Sequence, residues 1–288
     1  MSRSGRTASN CATRRGAPVY LFVRRQRRLA EPLLDFSLFA ERRFSTATLC
    51  VIGCFGGYVA LLFFLTQWLQ QSGGYGPLRA GLALMPLAAA NAVGAVTAPR
   101  VAARWGNRRA LTGALLLFAL AYAVVAATGD AAHYAGTLLP ALLAAGYGAG
   151  IVMTLGSDTI MGAARPERSG EAAAIQETSF ELGAGLGVAV FGTVVAFVYR
   201  DAVPAVPGLD PERRAAVGES FTAAESAVAG LPPATADAVR DAARYAYDQG
   251  FTTVAAIAAI GLAATATLAA VLLRPRKATG TRGAEPGE

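Results

Sequence analysis

Six blocks of apolar residues, each about as long as a membrane is thick, divide this chain. They run from about Phe44 to Leu69, Ala80 to Ala102, Ala110 to Thr128, Tyr134 to Ala163, Ala172 to Tyr199 and Phe251 to Leu273. A helix rises about 1.5 Å per residue, so roughly twenty residues cross a hydrocarbon core of about 30 Å. Of 288 residues, 54% are apolar and 16% charged, against roughly 25% charged in soluble domains. The mean hydropathy is +0.41. The fold class these blocks predict is all-α: a polytopic membrane protein with six transmembrane helices.

The net charge is +7, and Lys277 is the only lysine. A basic chain can signal nucleic acid. Here the arginines flank apolar spans, which is the pattern of topology control, and no nucleic-acid partner is expected. Lys and Arg divide into twenty on one side of the spans and six on the other. The richer side faces the cytoplasm. A multi-pass protein of the cell membrane with both termini cytoplasmic is therefore expected.

The chain then divides into six stretches. Residues 1–16 are polar and Arg-rich and read as a disordered N-terminus. Residues 17–43 lie ahead of the first span on the Arg-rich side, and residues 44–199 read as a five-helix transmembrane part. Residues 200–249 read as an extracytoplasmic helical cap, 250–273 as the last transmembrane helix and 274–288 as a cytoplasmic tail. Within the cap, Asp210-Pro211-Glu212 is a helix start, with an N-cap acid and proline at the first helical position. Gly230-Leu-Pro-Pro breaks the chain, and an Ala-rich helical stretch follows to Gly250. Two short helices over the bundle are expected.

Inside the fifth span, Glu177 and Glu181 lie one helical turn apart, so both carboxylates share a face. A charged side chain at that depth is costly and marks a functional position by default. Burial disfavours the charged form, and two like charges repel. Such a pair can hold a proton and release it when a cation arrives. The alternative is a hydrated or internally satisfied acid.

Other residues are less specific. Gly183 and Gly187 follow the acids at GxxxG spacing, and Gly146 and Gly150 repeat that spacing in the fourth span. They suit close helix packing or gating. Asn91 and Tyr147 either line a cavity that takes protons or substrate or complete an interhelical hydrogen bond. Asp158 ends the apolar part of the fourth span. Phe55, Tyr58, Phe63, Phe64 and Trp68 populate the first span, where one or two can offer a ring face to a cation. Cys50 and Cys54 share a helix face without further ligands, and His133 has no catalytic partner in sequence. No nucleophile–base pair, phosphate loop or metal-ligand cluster is recognisable, so no catalytic residue, metal or cofactor is expected, and the chain does not read as an enzyme.

Three stretches carry a resemblance. Tyr75-Gly-Pro-Leu-Arg-Ala-Gly-Leu-Ala-Leu-Met-Pro86 resembles the start of the tenth helix of the major facilitator superfamily's fourteen-helix drug–proton antiporters. Arg104-Trp-Gly-Asn-Arg-Arg109 is similar to the second-half echo of that family's cytoplasmic loop motif. Arg104, Gly106, Arg108 and Arg109 match it, while Ala103 stands where Asp is usual. Glu167-Arg-Ser-Gly-Glu-Ala-Ala-Ala-Ile-Gln-Glu-Thr-Ser-Phe-Glu-Leu-Gly183 is similar to the acidic thirteenth helix of the quaternary-ammonium exporters.

Val19 to Asp35 is similar to the end of the family's eighth helix and the linker after it, which implies that residues 17–43 are a cytoplasmic linker carrying the end of a preceding helix. The resemblance is expected from near Ala17 to about Arg276, covering the family's last six helices, with Met1–Gly16 matching nothing. It implies the C-terminal half of a major facilitator transporter that exports lipophilic cationic drugs in exchange for protons. Glu177 and Glu181 would bind both. Membrane lipid surrounds such a bundle. A partner, either an N-terminal half or a second copy, is implied because alternating access needs two halves. The competing expectation is a non-transporting truncated protein or the partner subunit of a split transporter.

Overall fold

The computed structural model describes residues 39–128, 134–163 and 169–273. Among the described residues every regular element is helical. The elements are α1 (Arg42–Gln71), α2 (Pro77–Trp105), α3 (Asn107–Thr128), α4 (Leu139–Ala163), α5 (Ser169–Ala202), α6 (Pro211–Glu219), α7 (Phe221–Ala227) and α8 (Pro233–Leu272). Six of them are long and apolar enough to cross a membrane. In hydrocarbon a helix satisfies its own backbone, which is why apolar blocks of this length take no other form. The N-terminal stretch 1–16, most of the 17–43 linker, His133 and the 274–288 tail lie outside the described residues.

Consecutive long helices run in alternating directions. The packing places α2, α4, α1 and α5 side by side in that order, with α3 and α8 behind them. Thus α1 and α4 are central, and α2 and α5 are the flanks. In α5 only 22% of the most apolar stretch is buried in the bundle, against 61% in the α4 span.

Two flank-to-centre crossings depend on missing side chains. At Gly146 and Gly150 of α4, an added methyl would meet the backbone carbonyls of Leu87 and Asn91 in α2, and Gly94 of α2 presses reciprocally on Tyr147. At Gly183 and Gly187 of α5, it would meet the carbonyls of Ile52 and Gly56 in α1. Lipid tails are as apolar as leucine, so helices gain little by hydrophobic association. Close backbone contact and dispersion hold them instead.

The cap differs from expectation in two respects. Asp210 does start α6, its carboxylate accepting from the Arg213 amide at 2.8 Å. Gly230, at φ 74°, turns the chain before Pro232 and Pro233 begin the next helix. Both short helices, α6 and α7, precede Gly230, where only one was expected. The Ala-rich stretch after Pro233, however, does not end at Gly250. It continues as one 40-residue helix into the last span. Gly250 is not a break: it sits where α8 crosses α5, with the Val195 backbone and side chain 3.3 Å from where its Cβ would be. At about 1.5 Å per residue α8 is about 60 Å long, twice a hydrocarbon core, so its charged first third stands beyond the apolar part.

A methyl at Gly150 would press on backbone that has no room to yield. Gly150→Ala is expected to lower the unfolding midpoint of the detergent-solubilised chain, at a cost of about 1–3 kcal/mol. Gly113→Ala, on an open face of α3 with nothing within 4 Å, should leave the midpoint unchanged or raise it. Equal midpoints for Gly150→Ala and the parent would contradict a close α2–α4 crossing.

Candidate functional site

The first turns of α5 set the geometry of the two acids. Ala172, Ile175, Ser179 and Gly183 form its buried stripe. Ile175 joins Phe44, Ala47, Val51 and Ile160 in a small core against α1 and α4. The Ser179 hydroxyl donates to the Ile175 carbonyl at 2.6 Å and so needs no other partner. At about 100° per residue, this stripe turns Glu177 and Glu181 to the other side of the helix. Both are exposed, side by side on a face that the bundle leaves uncovered. Neither has an ion-pair partner among the described residues. Phe180, between them in sequence, packs on Phe55 of α1 with ring centroids 4.8 Å apart. The acids therefore stand beside an aromatic pair at the edge of the α1–α5 crossing.

Asn91 and Tyr147 both lie on the α2–α4 seam, on the other flank from the acids. The Asn91 amide donates towards the Met153 sulfur at 3.9 Å, and the Thr97 hydroxyl donates to the Tyr147 hydroxyl at 3.3 Å. Both links join α2 to α4. Since α4 and α1 lie between α2 and α5, these polar groups and the acids sit on different parts of the same row. Asp158 is exposed near the end of α4. Of the first-span aromatics, Phe64 and Trp68 are buried, Phe55 and Tyr58 are half-buried, and Phe63 is the exposed one. Cys50 and Cys54 are buried in the core.

Arg104 and Arg109 are exposed around the α2–α3 turn, and Gly106 makes that turn at φ 79°, which favours glycine. Arg108 reaches across to α8. Its Nε donates to the Ala270 carbonyl at 2.8 Å, placing a cation on the last turn of a helix where free carbonyls gather. Asn107 adds a bond from its amide to Thr159 of α4 at 3.2 Å.

Two features escaped the sequence reading. Asp248 of α8 accepts from the Trp68 indole at 2.8 Å and from the Ser72 hydroxyl at 2.6 Å, while Trp68 stacks on Phe251. An acid and an indole 180 positions apart leave no local pattern. Gln176, next to Glu177, has a buried side-chain oxygen with no hydrogen-bond partner. An amide inside an apolar span was the available signal.

The family model described as Major Facilitator Superfamily matches residues 8–188. The chain belongs to that superfamily. The match starts ahead of Ala17, so part of the stretch expected to match nothing does match. Among curated relatives, the chain is 34% identical over 254 residues to the multidrug efflux pump LfrA of Mycolicibacterium smegmatis, covering 88% of this chain and 50% of that protein. It is 30% identical over 228 residues to the methyl viologen resistance protein SmvA of Salmonella typhimurium, covering 79% and 46%. It is 30% identical over 275 residues to the tetracenomycin C resistance and export protein of Streptomyces glaucescens, covering 93% and 49%. The chain thus spans about half the length of these relatives.

The Arg108 contact gives a direct expectation. Arg108→Ala removes a charge-assisted hydrogen bond, a class worth about 1.5–3 kcal/mol. It should lower the thermal midpoint of the purified chain, whereas Arg109→Ala, exposed in the same turn, should not. Equal midpoints for the two variants would argue that Arg108 does not brace α8.

Proposed function

We propose that this chain serves the proton-coupled efflux of lipophilic cationic drugs or antiseptics across the cytoplasmic membrane, as the C-terminal half of an antiporter. The observation that carries this reading is the Glu177–Glu181 pair. Two carboxylates one turn apart stand on the uncovered face of a helix long enough to span a membrane. Membership of the superfamily and similarity to proteins described as multidrug efflux pump and resistance protein support it.

The chemistry follows from cost. A carboxylate facing a low-dielectric space is expensive unless it holds a proton or a cation. Protons and cationic cargo therefore compete for the pair. Cargo bound from the cytoplasm would displace protons, and external protons would displace cargo in the outward-facing state. The aromatic pair Phe55–Phe180 supplies an apolar flank for a lipophilic ion. Asn91 and Tyr147 would line the same space from the other side. The glycine crossings would let each flank stay packed, or shift, as the halves rock. The loop residues Arg104, Gly106, Arg108 and Arg109 would organise the cytoplasmic end.

Alternating access needs a second half facing this one. That half is either an N-terminal bundle or a second copy of this chain. On the competing reading, a partner or remnant that moves nothing, the pair would be dispensable. Glu181 lies about 13 Å along α5 from Ala172, deeper than Glu177. Within a complete transporter, Glu181→Gln should abolish proton-driven uptake of a monovalent and a divalent cationic dye into everted vesicles, with expression unchanged. Glu177→Gln should chiefly impair the divalent dye. Wild-type rates for both dyes in Glu181→Gln would sink the proposal.

The proposed sidedness puts both termini in the cytoplasm and α6–α7 outside. In a cysteine-free background, a cysteine at Ala223 should react with a membrane-impermeant maleimide in intact cells. Labelling only after the cells are opened would reverse the orientation.

A further inference from the structure

The end of the bundle opposite the Arg104–Arg109 turn holds a cavity of about 150 Å³ that the two acids do not touch. Its walls come from five elements: Gln67 and Gln71 of α1, Tyr199 of α5, Glu219 of α6, Phe221 of α7 and Tyr247 of α8. The α6–α7 hairpin is fastened over it. The Tyr199 hydroxyl donates to the Val217 carbonyl at 3.0 Å, and Phe221 meets Tyr247 edge to face at 6.0 Å.

Two of the lining groups are unsatisfied. The Tyr247 hydroxyl and the Gln71 side-chain oxygen are buried without a hydrogen-bond partner, and Tyr247 as a whole is only 6% exposed. Buried polar atoms are normally paired, so orphans beside a cavity point to a missing occupant. The occupant's chemistry can be read from the walls. Three aromatic rings offer negative π faces. Amide and hydroxyl oxygens offer lone pairs, and Glu219 brings a carboxylate. Arg200, Arg213 and Arg214 belong to the same end of the molecule, but none lines the cavity. Everything that does is either neutral or attractive to a cation.

We propose that this cavity is a second cation site, which takes the ammonium headgroup of a small alkylammonium ion beneath the α6–α7 hairpin. The volume suits a headgroup and not a whole drug, since drug-sized pockets begin at about 300 Å³. Tyr199 lies about 27 Å along α5 from Glu181, so the site is separate from the acid pair. It rests on the efflux reading only in being placed where cargo would leave.

The test uses the purified full chain in detergent and the probe methylammonium, whose N–H groups can donate to the two orphaned oxygens, followed by calorimetric titration. Saturable binding is expected, with ethylammonium binding comparably and its neutral isostere ethanol at least about tenfold more weakly. Glu219→Gln and Phe221→Leu, which lie at the surface hairpin and should fold, are each expected to weaken methylammonium binding by about tenfold. The Glu177→Gln/Glu181→Gln double variant should keep it. No saturable binding means that the cavity holds only water, and the proposal falls. It falls equally if the neutral isostere binds as well, if the hairpin variants bind normally, or if the double variant alone abolishes binding. Binding that survives while proton-coupled transport proves absent would remove the efflux reading and leave this site standing.

Discussion

Close backbone contact at a few glycines is what the rest of this bundle depends on. In lipid the helices cannot be driven together by hiding apolar surface, because lipid hides it as well. What remains is dispersion, which decays steeply with separation. Gly94, Gly146 and Gly150 let α2 and α4 meet at backbone distance, and Gly56, Gly183 and Gly187 do the same for α1 and α5. These two crossings pin the flanks to the centre. They also use only one stripe of each flanking helix.

The unused faces follow from that economy. On α5 the glycine stripe is packed, and the opposite side carries Glu177 and Glu181 without a covering helix. If α5 were packed all round, the acids would be enclosed and would have to be neutral or paired within the bundle. Holding α5 by a narrow glycine seam instead leaves two carboxylates facing whatever lies beside the bundle. Under the proposed function that neighbour is the cargo path. The rigid seam and the exposed acids are then two consequences of one choice of small residues.

Much of this was legible in the sequence, and the reason is local. A membrane-length apolar block can only be a helix, so all six long helices were readable. The i, i+4 spacing of Glu177 and Glu181 fixed a shared face, and Asp210-Pro211 announced α6. What was missed needed information from far along the chain. The hydrogen bond between Trp68 and Asp248 has no local signature. Gly250 reads as a stop in sequence because glycine is permissive. Only the crossing with Val195 shows that it is there for proximity. The cavity under the hairpin is likewise assembled from five separate elements, none of which looks like a site alone.

The continuous α8 ties these observations together. At one end Arg108 of the α2–α3 turn grips the Ala270 carbonyl; at the other, Asp248 holds Trp68 and Ser72, and Tyr247 underlies the hairpin. A break at Gly250 would have let the cap move independently of the membrane-spanning part. A single unbroken helix does not permit that without bending, and bends in helices have identifiable causes such as proline or inserted water. The described α8 contains no proline after its first turn. The cap, the last span and the loop-motif turn should therefore move as one body. Under the proposed function, that is the mechanical property this bundle needs to rock against a partner without deforming.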